Sequence, residues 1–478
     1  MMVFYVQDER YVAVPWMGKS VYVQDERYVA VPWMGNSVYS LHHTSLIGGF
    51  MFIFWQRCFL LLITNIMLMC IFIKPAISNQ FTFVEEHLNQ LVAQKIPPQV
   101  YGKLLKQTKQ QNKQHRTIHE GEKFYFSGES YQGKPTRIFA IFNTPKNVKA
   151  PFPAVVLVHG GGGTAFSQWV KKWNDAGFAA LSIAVEGQTD MVNKNSSTRA
   201  NKWQRHQWAG PARTAIYGDS KQPLRDQWMF HASSAVIRAH NLLRSFKEID
   251  ATKIGLSGIS WGGVISSTVL GFDQRFAFAV PIYGSGTLST MDNQYGKALQ
   301  NNELYKTFWE PNLRIANYQG PILWLTGLKE KHFSLDAQAQ TYNTASGTHQ
   351  VTILEKLKHS HGAGWAPKEP YAFARAVVDK KELPMSFAGQ VIDKQSITVS
   401  LNKAKQAGKI TSATLWLTKD SGHTGQRKWQ QLPVTVSENK NQLKLKFMAT
   451  LPKNTTSWFF NVELDGLTYS SDFFNVRH

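Results

Sequence analysis

Residues 253–270 read KIGLSGISWGGVISSTVL. The first six letters form a short apolar run of the kind that makes a buried strand, and Gly263–Leu270 reads as a helix. Between them Gly258-Ile259-Ser260-Trp261-Gly262 matches G-x-S-x-G. In a strand–turn–helix setting this pattern is a nucleophile elbow: the sharp turn lifts a serine hydroxyl above the sheet, with a helix N-terminus behind it. The glycines serve a strained turn in which side chains would collide with neighbouring backbone. The competing reading is a Gly-rich turn before an ordinary helix.

Working outward, RIFAIF (137–142), AVVLVHG (154–160), FAALSIAV (178–185), FAFAVPIYG (276–284), PILWLTG (321–327) and VTILEKL (351–357) are further strands. Helices fall around 169–176 and 226–246, and the segment 186–223 is irregular. Near-continuous apolar strands alternating with helices imply a mainly parallel sheet covered on both faces, an α/β unit over 124–382. From 385 to 478 the helices stop, and about six short alternating segments read as a small β-sandwich. Glycan binding and a packing role for the catalytic unit are both open for it.

A second feature is His159-Gly160-Gly161-Gly162-Gly163, directly after AVVLV. Four glycines let the main chain approach a ligand and aim N–H groups at a developing oxyanion. Gly161 or Gly162 would supply one donor and the Trp261 amide the other. No Lys-Ser or Lys-Thr follows, which excludes a Walker loop. A dinucleotide fold would want a ribose-binding acid about twenty residues on, a distance that leaves Glu186 as a weak rival.

The acid and the base of a triad follow the serine, each in a loop after a strand. After PILWLTG come Lys329-Glu330-Lys331-His332-Phe333-Ser334-Leu335-Asp336; after VTILEKL come Lys358-His359-Ser360-His361-Gly362. His361 is the preferred base because its glycine neighbour leaves room for the imidazole, and His359 is the alternative. Glu330, emerging at the strand tip, is the preferred acid. Asp336 is the alternative, and it would also suit the first turn of a helix. No metal is expected, since the pair of histidines has no carboxylate at ligand spacing, and the chemistry needs no cofactor.

HGGGGTAFSQWVKKWNDAGFAAL, DQWMFHASSAVIRAHNLLRSF, GISWGG with FAVPIYG, and HSHGAGWAPKEPYAFA together resemble exported α/β-hydrolases of the acetyl xylan esterase and dienelactone-hydrolase-like group. The resemblance spans roughly 124–382. It implies an α/β-hydrolase fold with Ser260 as nucleophile, His361 as base and an acid after the seventh strand. Members usually carry Asp where this chain has Glu330. Glutamate is a known alternative acid in this fold.

The amino-terminal region reads differently. YVQDERYVAVPWMG at 5–18 recurs at 22–35. Two copies are too few for a solenoid, and 1–50 reads as a duplicated segment outside the fold. In 51–78, Arg57 precedes an apolar run from Cys58 to Ile73, and Ala76-Ile77-Ser78 offers a cleavage site. The run is short of the roughly twenty residues a membrane span needs, so 51–78 reads as a signal peptide and Asn79 as the mature terminus. Residues 79–123 read as a basic helical segment broken by Pro97-Pro98, without the interleaved aromatics of a single-strand binder.

The whole chain is 478 residues, 43% hydrophobic and 13% aromatic, with a net charge of +21. So much apolar material excludes a disordered chain, and two cysteines exclude a disulfide scaffold. Both cysteines and a net charge of +1 lie in 1–78, so the basic balance belongs to the exported part. That balance suits an acidic matrix or polymer rather than nucleic acid. Trp203, Trp208, Trp228 and Trp365 are candidate substrate-binding rings near the strand tips, as against core packing. Trp169 and Trp309 fall near the same loops. The expected activity is an exported, periplasmic or extracellular serine esterase acting on acyl groups of a polysaccharide or oligosaccharide. A prolyl-oligopeptidase-type peptidase and an inactive glycan-binding protein are the alternatives.

Overall fold

Along the strand Phe152–Val158, Val155 and Leu157 face one apolar core, while Val156 and Val158 face another. A sheet with both faces buried needs apolar residues at every position, which is why these strands read as unbroken hydrophobic runs. The computed structural model describes residues 12–16, 19–24, 27–28, 80–102, 122–146, 148–196, 198, 202–393, 396–404, 407–438 and 444–476. The expected signal peptide, residues 51–78, and residues 103–121 lie outside the described residues. The chain divides into two units, 1–74 and 75–478. Within the first, Val12–Trp16, Lys19–Gln24 and Arg27–Tyr28 form a small antiparallel sheet in the repeated region.

In the second unit the central sheet contains β1 (Val100–Tyr101), β2 (Glu122–Ser127), β3 (Arg137–Asn143), β4 (Phe152–Val158), β5 (Ala179–Ile183), β6 (Ile249–Ile259), β7 (Ala279–Ile282), β8 (Ile322–Gly327) and β9 (His349–Leu354). Their spatial order is β1-β2-β3-β5-β4-β6-β7-β8-β9. Pairing is antiparallel from β1 to β5 and parallel from β5 to β9. A helix over residues 80–93 (α1) buries Val84, Leu88 and Leu91. Then come α2 (Ser167–Asp175), α3 (Trp228–Arg244), α4 (Trp261–Leu270), α5 (Gln294–Leu299), α6 (Asn312–Ile315), α7 (Leu335–Thr344), α8 (His361–Gly364) and α9 (Glu369–Val378). The cores set α1, α3 and α4 on one face and α2 and α9 on the other. This is the α/β-hydrolase architecture expected. Among the described residues no helix is long and apolar enough to cross a membrane.

The carboxy-terminal strands form two sheets packed over a core that includes Ile397, Leu401, Leu415, Trp458 and Phe460. One is a four-stranded sheet of Met385–Asp393, Ser396–Lys403, Thr435–Glu438 and Lys444–Thr450. The other holds Gln430–Pro433, Ile410–Thr418, Ser457–Leu464 and Leu467–Ser470, and its last strand pairs antiparallel with β9 through Val351 and Ser470. The sandwich thus continues the hydrolase sheet at its edge. The same edge is tied by Thr352 Oγ1 donating to Thr468 O (2.9 Å) and by Ile353 N donating to Ser470 Oγ (2.8 Å).

Candidate active site

Ser260 follows β6 directly and holds φ 57°, ψ −117°, a left-handed conformation that costs a non-glycine residue about 1–3 kcal/mol. The turn is fixed by Ser260 N donating to Ile282 O (2.9 Å) and by Gly263 N and Val264 N donating to Ser260 O. The motif's glycines are required by close approach. A Cβ on Gly258 would lie 2.0 Å from Gly262 O, and one on Gly262 would lie 2.1 Å from Val158 O. Trp261 begins α4, whose ten residues are all buried.

β8 and β9 deliver the other groups. Past β8, Glu330 is 3% exposed, and its Oε1 accepts the amides of His332 (2.7 Å) and Phe333 (3.4 Å). Past β9, His359 stands between Glu330 and Ser260: its Nδ1 is 2.8 Å from Glu330 Oε2 and its Nε2 is 2.9 Å from Ser260 Oγ. An ionised carboxylate only accepts, so Nδ1 carries the proton and Nε2 accepts from the serine hydroxyl. Tyr283, at the tip of β7, packs against the imidazole with ring centroids 4.5 Å apart, and donates its hydroxyl to Ser360 O at 2.6 Å. Asp336 lies in the first turn of α7 and accepts from Ala337 N.

The structure places His359, the alternative, and not His361 between Ser260 and Glu330. Ser360 caps α8 by accepting from Ala363 N, so His361 is the first residue of a helical turn. From there His361 reaches the glycine loop, where its Nε2 accepts from Gly160 N at 3.0 Å. Its ring also packs against Phe166 at 4.8 Å.

The glycine loop lies over the serine with its donors already divided. Gly163 N donates to Gly160 O, and Gly162 N donates to Glu186 Oε2 at 3.2 Å. Gly162 N is thus already paired with a carboxylate, while Gly161 lies beside the Trp261 ring, where an added Cβ would come 3.0 Å from Cδ1. Glu186 also binds Arg213 Nε (3.1 Å) and Gln188 Nε2 (2.9 Å), so this buried acid organises the loop rather than a ribose. His159 is buried; its Nδ1 meets Gly160 O at 2.7 Å and its Nε2 accepts from Val185 N at 2.9 Å. Burial lowers its pKa against the opposing pull of Glu186, which keeps the ring neutral.

A cavity of about 270 Å³ opens on Ser260, and Gly161, Arg213, Trp261, Tyr295, His332 and His359 are among its walls. Arg213, Tyr295 and His332 were not singled out by the sequence reading; only His332, beside Glu330 at a strand tip, carried a signal. None of the four predicted substrate tryptophans lines this cavity. Trp228 is a core residue, 2% exposed, donating Nε1–H to Val185 O at 2.7 Å. Trp208 packs on Tyr125 and Arg137. Trp203 and Trp365 are half-buried and flank Phe166, at 5.9 and 5.2 Å between ring centroids, next to His361. Trp169 and Trp309 are fully buried.

Residues 103–289 match the acetyl xylan esterase (AXE1) family. The match covers less than half of the chain. The acetyl xylan esterase match contains the glycine loop and Ser260 and ends before Glu330 and His359. The chain is accordingly a carboxylic ester hydrolase of the serine-hydrolase fold. No curated protein sequence matches it. Among solved structures it is similar to acetyl xylan esterase 1 from Thermoanaerobacterium sp. JW/SL YS485, at 16% identity over 58% of this chain and 88% of that one, TM-score 0.43. It is also similar to the acetyl xylan esterase from Paenibacillus sp. R4, at 18% identity over 63% and 94%, TM-score 0.46. A third similarity is to Pyrococcus horikoshii acylaminoacyl peptidase, at 17% identity over 55% and 41%, TM-score 0.40.

Proposed function

We propose that Ser260, His359 and Glu330 are the catalytic triad of an exported acetyl esterase acting on acylated polysaccharide or oligosaccharide. The observation that carries the reading is His359, whose two ring nitrogens meet Ser260 Oγ at 2.9 Å and Glu330 Oε2 at 2.8 Å. In this scheme His359 Nε2 takes the Ser260 proton as Oγ attacks the ester carbonyl. Glu330 holds the imidazole in the required tautomer and stabilises the imidazolium. The Gly161 and Trp261 amides receive the oxyanion, and each such donor is worth about 3–4 kcal/mol in acyl transfer. His359 then protonates the departing sugar oxygen. Water, deprotonated by the same nitrogen, attacks the acyl-enzyme and releases the carboxylic acid.

The acetyl and carbohydrate parts of the reading rest on the family match over 103–289 and on the half-buried Trp203 and Trp365 beside the site. Export rests on the sequence of residues 51–78, and the +20 charge remaining after their loss with the preceding segment suits an acidic polymer. Purified protein given acetylated xylan, simple acetyl esters and peptide amides tests the function. Acetate release from xylan that disappears in Ser260→Ala supports it; cleavage of peptides with xylan left intact overturns it.

A further inference from the structure

The sandwich does more than close a sheet edge. Its turn Thr424–Gln426, capped by His423, touches the loop that carries Glu330 from two sides. Gly425 meets the acid's own backbone: a Cβ there would lie 1.9 Å from Glu330 O and 3.2 Å from Lys331 N. Thr424 is fully buried, and its Oγ1 accepts from Leu335 N at 2.7 Å, across 89 residues of chain. Trp429 Nε1 donates to Thr424 O and holds the turn from behind. His423 Nδ1 accepts from Gly425 N, and its Nε2 lies 3.2 Å from Asn293 Nδ2. That Asn293 amide donates to His332 O at 2.8 Å, while Asn293 Oδ1 accepts from Tyr295 N at 2.9 Å. His332 and Tyr295 are walls of the Ser260 cavity.

We infer that the His423–Gln426 turn is a positioning element for Glu330, so that the carboxy-terminal sandwich completes the esterase site. The inference rests on the triad reading above. Among the described residues, hydrolase groups hold other points of this loop, Gln338 Nε2 donating to Phe333 O and Asn293 Nδ2 to His332 O, while the sandwich turn meets the Leu335 amide and the Glu330 carbonyl. Glu330 must be held because its Oε2 sets the His359 ring. A misplacement of about 1 Å in such a group costs on the order of 100-fold in rate.

The test compares kcat and KM for a soluble acetyl ester in the full-length chain. A Cβ at position 425, 1.9 Å from Glu330 O, must displace the Glu330 backbone by more than an ångström to reach an ordinary contact. Gly425→Ala should therefore lower kcat about 10- to 100-fold with KM within twofold, and shift the basic-group limb of the pH–rate profile. Thr424→Val should act in the same direction, and Thr424→Ser, which keeps the acceptor oxygen, should restore the wild-type profile. Ile397→Val, a buried change in the sandwich sheet away from the turn, controls for loss of stability and should leave kcat and the profile unchanged. Wild-type kcat and pH profile in Gly425→Ala and Thr424→Val would overturn the inference, as would an equal loss in Ile397→Val. Should Gly425→Ala be insoluble, the Thr424 pair decides. The triad reading fails separately, if Ser260→Ala retains turnover.

Discussion

His359 and Ser260 meet at 2.9 Å between Nε2 and Oγ, although 99 residues separate them in the chain. The sheet order explains the meeting. β6 presents Ser260 at its tip, β8 presents Glu330 and β9 presents His359, all three running parallel on the same side of the sheet. The helix α4 at Ser260 and the cap at Ser360 then fix the two backbones from which the side chains converge.

Glu330 accepts both the His359 ring and the His332 amide. Glu330→Gln keeps the shape but can present an N–H to Nδ1, which favours the wrong tautomer. By analogy with such acid-to-amide changes, kcat should fall about 10³- to 10⁴-fold. Asp336→Asn, in the first turn of α7, should leave kcat within threefold. Steady-state hydrolysis of an acetyl ester at neutral pH checks both.

Glu186 holds the Gly162 amide and Arg213 together. Glu186→Ala leaves a buried donor and a part-buried cation uncompensated, at a cost of about 2–3 kcal/mol. Thermal unfolding should record a lower Tm, and kcat/KM should drop about 100-fold as the glycine loop loses its setting.

Trp203 and Trp365 stand either side of Phe166, outside the cavity proper. If their faces receive sugar rings, Trp203→Ala and Trp365→Ala should raise KM for acetylated xylan about 3- to 10-fold each. Kinetics on a small acetyl ester should be unchanged. Trp228→Ala, a core truncation, should instead lower Tm sharply, by about 3–5 kcal/mol of stability.

His206 offers a stability prediction. Its two ring nitrogens are buried without a hydrogen-bond partner among the described residues, and the ring meets Tyr125 edge-on at 5.0 Å. Burial, with Arg205 and Arg137 adding to it, lowers its pKa to about 4. The unfolded chain titrates this group near 6.5. Between those values the unfolded state binds more protons, so stability is lost as pH falls from about 6.5 toward 4. His206→Phe should flatten that part of the Tm-against-pH curve and raise Tm at pH values near 5. Equal slopes for the two proteins would contradict it.

What could be read from the sequence was local. Unbroken apolar runs mark strands buried on both faces, and the elbow needs only Gly258, Ser260 and Gly262 in a strand–helix junction. The position of Glu330 just past β8 was legible, because an acid at a strand tip is a statement about one loop. The histidines were not separable in that way, because both follow β9, within three residues of one another, and only the folded loop sets His359 between Ser260 and Glu330 and His361 against Gly160. Trp228 was misplaced for a related reason: it enters the core because its helix packs on the sheet, a tertiary fact with no trace in its neighbours. The joining of Leu467–Ser470 to β9 depends on strand register between distant segments, and Gly162 is diverted by an acid 24 residues away.

The measurement that bears most directly on the triad is kcat for acetyl-ester hydrolysis by His359→Ala and His361→Ala, side by side. His359→Ala should lose about 10⁴-fold or more, as removal of a triad base does. His361→Ala gives up one hydrogen bond to the Gly160 amide, worth about 1 kcal/mol, and should stay within about tenfold of wild type. Loss of activity in His361→Ala with turnover retained in His359→Ala would contradict the account.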